Sequence, residues 1–400
     1  MVIMQEMLEK AMEYRGSKSI TDLIPIDQKE SVIVKEQRVD GGYTKQASKG
    51  LVLRCTLIGS ERSPWINVLS KGQITGLKCY SSTTVLKSSV LTSLSTSSEL
   101  PVTSINPWFV TGFVDAEGCF LLQVRNRNNS WYVEARFDIS LHKKELELMK
   151  QIQNYFGGAG GINIHGKDSL QYTISSIKEI NERVLPNFDK YPLITQKYSD
   201  YLLFKEAINL INSKKNMAKE EFIQKIVGIK ASMNRGLLSS ELKVSFTNIV
   251  PVPRPTVVSQ IPHPHWVAGF TSGEGCFMIK TSVNRHAKLG YGVQLSFQIT
   301  QNERDKELIG SLVSYLGCGR LVVNEKHNGS KVNFNVTKFS DIQEKIISFF
   351  INYPILGVKS LDFEDWCRAG EIIKNKGHLS REGLDDIFKL KAGINRGRSS

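Results

Sequence analysis

Two glutamates hold equivalent places in two near-copies of one ten-residue block: Glu117 in "TGFVDAEGCF" (111–120) and Glu274 in "AGFTSGEGCF" (268–277). Phe109, Gly112, Phe113 and Ala116 fall at helical spacing, so the first block reads as a helix. Gly112 and Ala116 are four residues apart, as are Gly269 and Gly273. Small residues at that spacing leave a flat stripe along which two helices can pack backbone to backbone. Gly118 and Gly275 follow the two acids and suit left-handed C-caps. A carboxylate at a helix C-terminus faces the negative end of the helix dipole, and two related carboxylates brought together repel. A divalent cation would relieve both. Mg2+ prefers carboxylate, carbonyl and water oxygens, so the expected ligands are Glu117 and Glu274 with the carbonyls of Ala116 and Gly273. One or two metals held there suit in-line displacement at phosphorus. The plainer reading of the same acids is a pair of solvated helix-end carboxylates.

The elements that must position these acids are also duplicated. "FDIS" (137–140) returns as "FQIT" (297–300), "YFG" (155–157) as "YLG" (315–317), "YPLITQK" (191–197) as "YPILGVK" (353–359), and "KASMNRG" (230–236) as "KAGINRG" (391–397). The offset drifts only from 157 to 162, which marks a tandem duplication with small insertions. Each copy reads α-β-β-α-β-β-α-α, an α+β unit, and the pair suits a pseudo-twofold arrangement. In the strands Leu122, Val124, Val133, Ala135, Phe137 and Ile139 are expected to face the core, with Val293, Leu295, Phe297 and Ile299 as their counterparts. The opposite faces carry Gln123, Arg125, Arg127, Arg136, Asp138 and Ser140 in the first copy, and Lys280, Ser282, Asn284, Gln294, Ser296 and Gln298 in the second. Such long amide and guanidinium side chains read base edges in a major groove; an ordinary solvated sheet face is the alternative.

The remaining organisation frames these two units. The chain has 400 residues with 52 Lys+Arg against 39 Asp+Glu, a formal charge of +13, which favours a polyanionic partner. There is no uninterrupted run of 18 apolar residues and the mean hydropathy is −0.20, so no membrane span is expected. Six scattered cysteines without a CxxC argue against a disulfide framework and a structural zinc site. Residues 1–80 show no sustained periodicity, and 12 of the 18 residues from Ser81 to Ser98 are Ser or Thr, so 81–104 reads as a flexible linker. The first copy spans 105–238 and the second 266–400. Between them 239–265 carries Pro251, Pro253, Pro255, Pro262 and Pro264 and reads as an extended linker that includes His263 and His265. The N-terminus has Glu6, Glu9 and Glu13 and no apolar core, unlike a signal peptide or a good mitochondrial presequence.

"VTGFVDAEG" (110–118) and "VAGFTSGEG" (267–275) resemble the paired signature of LAGLIDADG homing endonucleases. "INPWFVTGFVDAEG", "YPLITQK", "YLGCG" and "FEDWC" are similar to the single-chain, fungal mitochondrial, intron-encoded members. The resemblance covers residue 105 to the C-terminus. It implies two domains joined at the two signature helices, and a monomer that cuts both strands of a long, asymmetric double-stranded DNA target with a divalent metal, Mg2+. It implies a mitochondrial location. It carries the catalytic, metal-binding carboxylates onto Glu117 and Glu274, and basic residues near the cleaved phosphates onto Lys197 and Lys359. A water-orienting polar residue falls on Gln301, where the first copy has Leu141. Asp115 matches the signature's other acid, yet its partner is Ser272; a position accepting either reads as hydrogen bonding, not metal ligation. The alternative activity within this family is a maturase that binds its intron RNA and assists splicing.

Overall fold

The computed structural model describes residues 105–324 and 330–398. The expectations for 1–80 and for the 81–104 linker lie outside these residues. Each copy opens with a helix that runs directly into a strand: α1 (Pro107–Glu117) into β1 (Gly118–Arg127), then β2 (Ser130–His142), α2 (Leu146–Tyr155), β3 (Gly161–Ile164), β4 (Ser169–Ile174), α3 (Lys197–Ser213) and α4 (Lys219–Ser232). The second copy repeats the order with α5 (Pro264–Glu274), β5 (Gly275–Val283), β6 (Tyr291–Asn302), α6 (Lys306–Leu316), β7 (Arg320–Asn324), β8 (Lys331–Val336), α7 (Val358–Lys374) and α8 (Arg381–Gly393). Each sheet is antiparallel with four strands, in the order β1-β2-β4-β3 and β5-β6-β8-β7. Among the described residues no helix is long and apolar enough to cross a membrane.

The period-2 pattern sets which face is covered. Phe120, Leu122, Val124, Ala135, Phe137, Ile139, Tyr172 and Ile174 all point into a core beneath the helices. Phe277, Ile279, Leu295, Phe297, Ile299, Phe334 and Val336 do the same in the second copy. Phe120, three residues after Glu117, is ringed by Phe137, Phe188, Tyr201 and Phe204 at centroid distances of 5.3, 5.6, 5.4 and 5.3 Å. Full burial of such a ring contributes about 1.5–3 kcal/mol, and it pins the strand next to the acid. The repeated "NRG" block anchors the same place. Asn234 and Asn395 have φ of 54° and 57°, and their side-chain amides donate to the Phe120 and Phe277 carbonyls at 3.1 and 2.8 Å.

Two expectations need correction. The segment expected as an extended linker holds a short helix, Ser240–Ser245, whose Leu242 is buried in the first core with Leu238, Phe246, Ile249 and Val252 packed around it. Its far end is already helix: Pro264 opens α5, and the His263 side chain accepts the His265 N–H at 3.2 Å as N-cap. Gly118 and Gly275 are not left-handed either. Their φ/ψ are −77°/158° and −71°/152°, extended backbone that starts the strands. Glycine is required there for space: a Cβ would lie 2.5 Å from Val114 Cγ1 and 2.4 Å from Thr271 Cγ2.

Candidate active site

Two sequence features bring the acids together. Asn106 and Pro107 start α1, and His263 and Pro264 start α5, so both helices begin three residues before the signatures' first residues, Val110 and Val267. The glycine stripe then allows contact. A Cβ on Gly112 would stand 2.1 Å from the Trp266 carbonyl oxygen, and one on Gly269 would stand 2.0 Å from the Phe109 carbonyl oxygen. Each helix reaches into the other copy's core: Ala268 belongs to the first apolar cluster and Ala116 to the second. Both helices therefore end side by side, with Glu117 and Glu274 as their last residues. A Cβ on Gly273 would lie 2.4 Å from Ala116 Cβ and 3.1 Å from Glu117 Oε1. The Glu117 carboxylate thus leans over the end of α5, into room that only glycine leaves.

Two lysines fill the helix ends. Lys197 Nζ donates to the carbonyls of Val114 (2.7 Å) and Asp115 (2.9 Å). Lys359 Nζ donates to those of Thr271 (3.2 Å) and Gly273 (2.6 Å). Val114 and Thr271 are equivalent, and each also accepts the N–H of the glycine that caps its helix. The ammonium groups therefore neutralise the negative helix ends that the sequence had left to a cation. Burial strips Lys197 of hydration and pushes its pKa below the ordinary lysine value, while Asp115, Cys119, Glu117 and Glu274 pull it back up. Lys359 takes one lone pair of the Gly273 carbonyl, an expected metal ligand; a carbonyl has two.

Both carboxylate oxygens of Asp115 are engaged by donors distant in sequence. Asp115 is 2% exposed. Oδ2 accepts the Ile194 N–H at 3.0 Å and the Trp266 indole N–H at 2.8 Å; Oδ1 accepts the Thr195 N–H at 3.2 Å and hydroxyl at 2.5 Å. Burial raises its pKa to about 6, against the pull of these donors and of Lys197. Asp115 thereby ties α1, the turn before Lys197 and the second copy's Trp266 together. In the second copy Ser272 makes the lesser bond, accepting the Leu356 N–H at 3.2 Å. Gln301 lies inside β6, two residues beyond the Ile299↔Gly275 pair, with Oε1 accepting the N–H of Asn302.

The polar sheet faces are only partly open. Arg125, Asn126 and Arg127 are exposed, as are Lys280, Ser282, Val283, Asn284 and Gln294. Gln123, Arg136, Ser140 and Gln298 are half-buried, and an Arg125 N–H donates to Gln123 Oε1. Asp138 and Ser296, expected on the open face, are 2% and 0% exposed. Asp138 sits under Arg136, 3.4 Å away, and accepts from Gln171 Nε2 at 3.2 Å. Ser296 donates to Asn335 Oδ1 at 3.0 Å. Both are second-layer groups that hold neighbours in place, because the partner strands β4 and β8 bring their own long polar side chains over them. Gln298, Thr300 and Asn333 form a similar network, with Gln298 Nε2 donating to Asn333 Oδ1 at 3.0 Å and to Thr300 Oγ1 at 2.8 Å.

The donor set fits a hard divalent cation. Among the described residues no group of three or more His, Cys, Asp and Glu gathers to hold a metal. Two carboxylates and helix-end carbonyls would leave most of the coordination sphere to water and phosphate oxygens, the usual arrangement for Mg2+.

Sequence reasoning missed two acids. Glu145 Oε2 accepts the Val358 N–H at 3.0 Å, and Asp305 Oδ1 accepts the Gln196 N–H at 2.7 Å, each from the other copy. Their equivalence in the repeat, as acids three residues past His142 and Asn302, was the available signal.

Residues 110–208 and 267–369 each match the LAGLIDADG endonuclease family. A probable intron-encoded endonuclease 3 of Neurospora crassa is 38% identical over 395 residues, covering 96% of this chain and 70% of that protein. The crystal structure of the I-SmaMI LAGLIDADG homing endonuclease bound to cleaved DNA is 44% identical, with a TM-score of 0.70, over 74% of this chain and 98% of that one. The same endonuclease has been solved on uncleaved DNA target in the presence of calcium ions, at the same identity and TM-score. With both halves of its duplication matched, the chain belongs to the LAGLIDADG endonuclease family.

Proposed function

We propose that this protein is a site-specific homing endonuclease that hydrolyses one phosphodiester on each strand of a long, asymmetric DNA target. The observation that carries this reading is the pair of acids, Glu117 and Glu274, ending two helices packed backbone to backbone where the two copies meet. The sheets would lie in successive major grooves with Arg125, Arg127, Lys280 and Gln294 toward the bases. Unlike side chains on the two faces select unlike half-sites. Glu117 and Glu274, with the carbonyls of Ala116 and Gly273, would hold the divalent ion, here Mg2+. That ion would supply charge neutralisation at the phosphate and a more acidic bound water. Half-buried Lys197 and buried Lys359 place positive charge at the two helix ends, and Gln301 is a candidate for orienting water in the second copy. One chain contains both active sites and needs no partner copy. The intron-encoded relatives support a mitochondrial setting.

The test is a selection of cleaved sequences from a DNA library, with and without Mg2+. A single long recognition sequence cut on both strands only with metal supports the reading. Intron RNA binding without any DNA cleavage would replace it with the maturase.

A further inference from the structure

We propose that Glu145 and Asp305 are positioning residues that work across the pseudo-twofold axis, each holding the turn that presents the other copy's lysine. The proposal rests on the reading of Lys197 and Lys359 as active-site groups. Asp305 of the second copy accepts the N–H of Gln196, the residue before Lys197, at 2.7 Å. Glu145 of the first accepts the N–H of Val358, the residue before Lys359, at 3.0 Å. Gln196 and Val358 are equivalent in the repeat, and so are Glu145 and Asp305, which close matching three-residue 3-10 turns after β2 and β6. The exchange is therefore reciprocal.

Their own helices do not explain these acids. Glu145 and Asp305 stand at the N-cap positions of α2 and α6, yet neither makes a side-chain cap bond there. Both are turned instead to the N-termini of α3 and α7, whose dipoles favour a carboxylate. The Asp305 side chain is 1% exposed, with only Arg304 Nε, 3.6 Å away, as a neighbouring cation on its own turn. A carboxylate this buried needs its donors. Burial raises the pKa of both acids, and in each case the bond to the other copy's backbone is the first influence opposing it. Gly357 makes room: its φ is 77°, and a Cβ there would lie 2.3 Å from Glu145 Oε2. Each lysine is thus set by both copies, its ammonium by its own helix end and its backbone by a carboxylate from across the axis.

The test uses the full chain, a selected target with each strand labelled, and Asp305→Ala, Asp305→Asn, Glu145→Ala and Glu145→Gln. Lys197→Met and Lys359→Met first assign a strand to each lysine. Asp305→Ala should slow the Lys197 strand about tenfold, the scale of a lost helix cap acting on a positioned group, and leave the other strand near wild type. Glu145→Ala should do the same to the Lys359 strand. The amide variants keep an acceptor oxygen and should show the same strand bias at smaller size, so the test survives an alanine variant that does not fold. Hydrogen exchange should rise at the Gln196 amide in Asp305→Ala and at the Val358 amide in Glu145→Ala. Equal slowing of both strands, slowing of the strand served by the acid's own copy, or unchanged exchange would overturn the proposal. Lysine variants that cut both strands at the wild-type rate would sink the lysine reading and the catalytic role of the caps with it, while the exchange data would still report on the bonds themselves.

Discussion

Gly269→Ala tests the helix pair on which the site is built. The new Cβ would stand 2.0 Å from the Phe109 carbonyl oxygen and 2.9 Å from the Phe113 nitrogen. Carbon contacts settle at roughly 3.5 Å, so α1 and α5 must part by about 1 Å or more. Both obstructing atoms are helix backbone, and no rotamer change can relieve them. Overpacking of this kind costs about 1–3 kcal/mol, against a gain of about 1 kcal/mol from replacing glycine inside a helix. The net expectation is a loss of up to about 2 kcal/mol, read as a lower urea midpoint. Catalysis should suffer more. The parted helices carry Glu117 and Glu274, and a misplacement of about 1 Å can cost roughly a hundredfold in rate. Single-turnover cleavage should therefore fall far more than DNA binding measured by mobility shift. Gly393→Ala is the comparison: no atom lies within 4 Å of its Cβ position, so it should be neutral or gain roughly 0.5–1 kcal/mol. A Gly269→Ala protein with wild-type midpoint and cleavage rate would refute the close approach.

Asp115→Asn leaves one acceptor oxygen for donors that now use two, so an amide N–H2 must face Ile194 and Trp266 or Thr195. Stability should drop by roughly 2–6 kcal/mol, at about 1–3 kcal/mol for each of two donors left unpaired; calorimetry checks this, and an unchanged melting temperature would contradict it. Arg125→Ala and Lys280→Ala should each cost about 1–3 kcal/mol of binding and relax preference at a few base pairs of opposite half-sites; selected cleavage sequences give the answer, and uniform weakening would mark both as phosphate contacts with a salt slope lower by about one. Removing residues 1–104 should leave specific cleavage in place, because both helices, both sheets and their connection lie beyond it; a truncated chain that folds but binds no target would show that the segment contributes to recognition.

The duplication, the strands and the meeting of Glu117 with Glu274 were legible because each rests on local pattern: a repeat, an alternation, a four-residue stripe. The exceptions depend on contacts distant in sequence. Asp138 and Ser296 alternate outward as expected, but Gln171 and Asn335, supplied by a strand over thirty residues away, cover them. Helix grammar makes the glycines after the acids left-handed C-caps, whereas the chain passes straight into a strand and the constraint is the Val114 or Thr271 side chain. The Ser272 partner of Asp115 points to hydrogen bonding at that position, but the indole of Trp266, 151 residues on, leaves no local signal in the sequence. Lys197 and Lys359 were placed by resemblance alone. Their bonds to the helix-end carbonyls give that placement a physical reason: the ends of α1 and α5 carry negative charge that the acids only increase.

The measurement that bears most directly on the central claim compares binding and cleavage in Glu117→Gln and Glu274→Gln on a selected target in Mg2+. Each change removes one carboxylate charge from the helix ends and touches neither sheet face. The account predicts binding within a few-fold of wild type, roughly a hundredfold or greater loss of cleavage, and loss of metal-dependent tightening on DNA. Cleavage at the wild-type rate in either variant would contradict it.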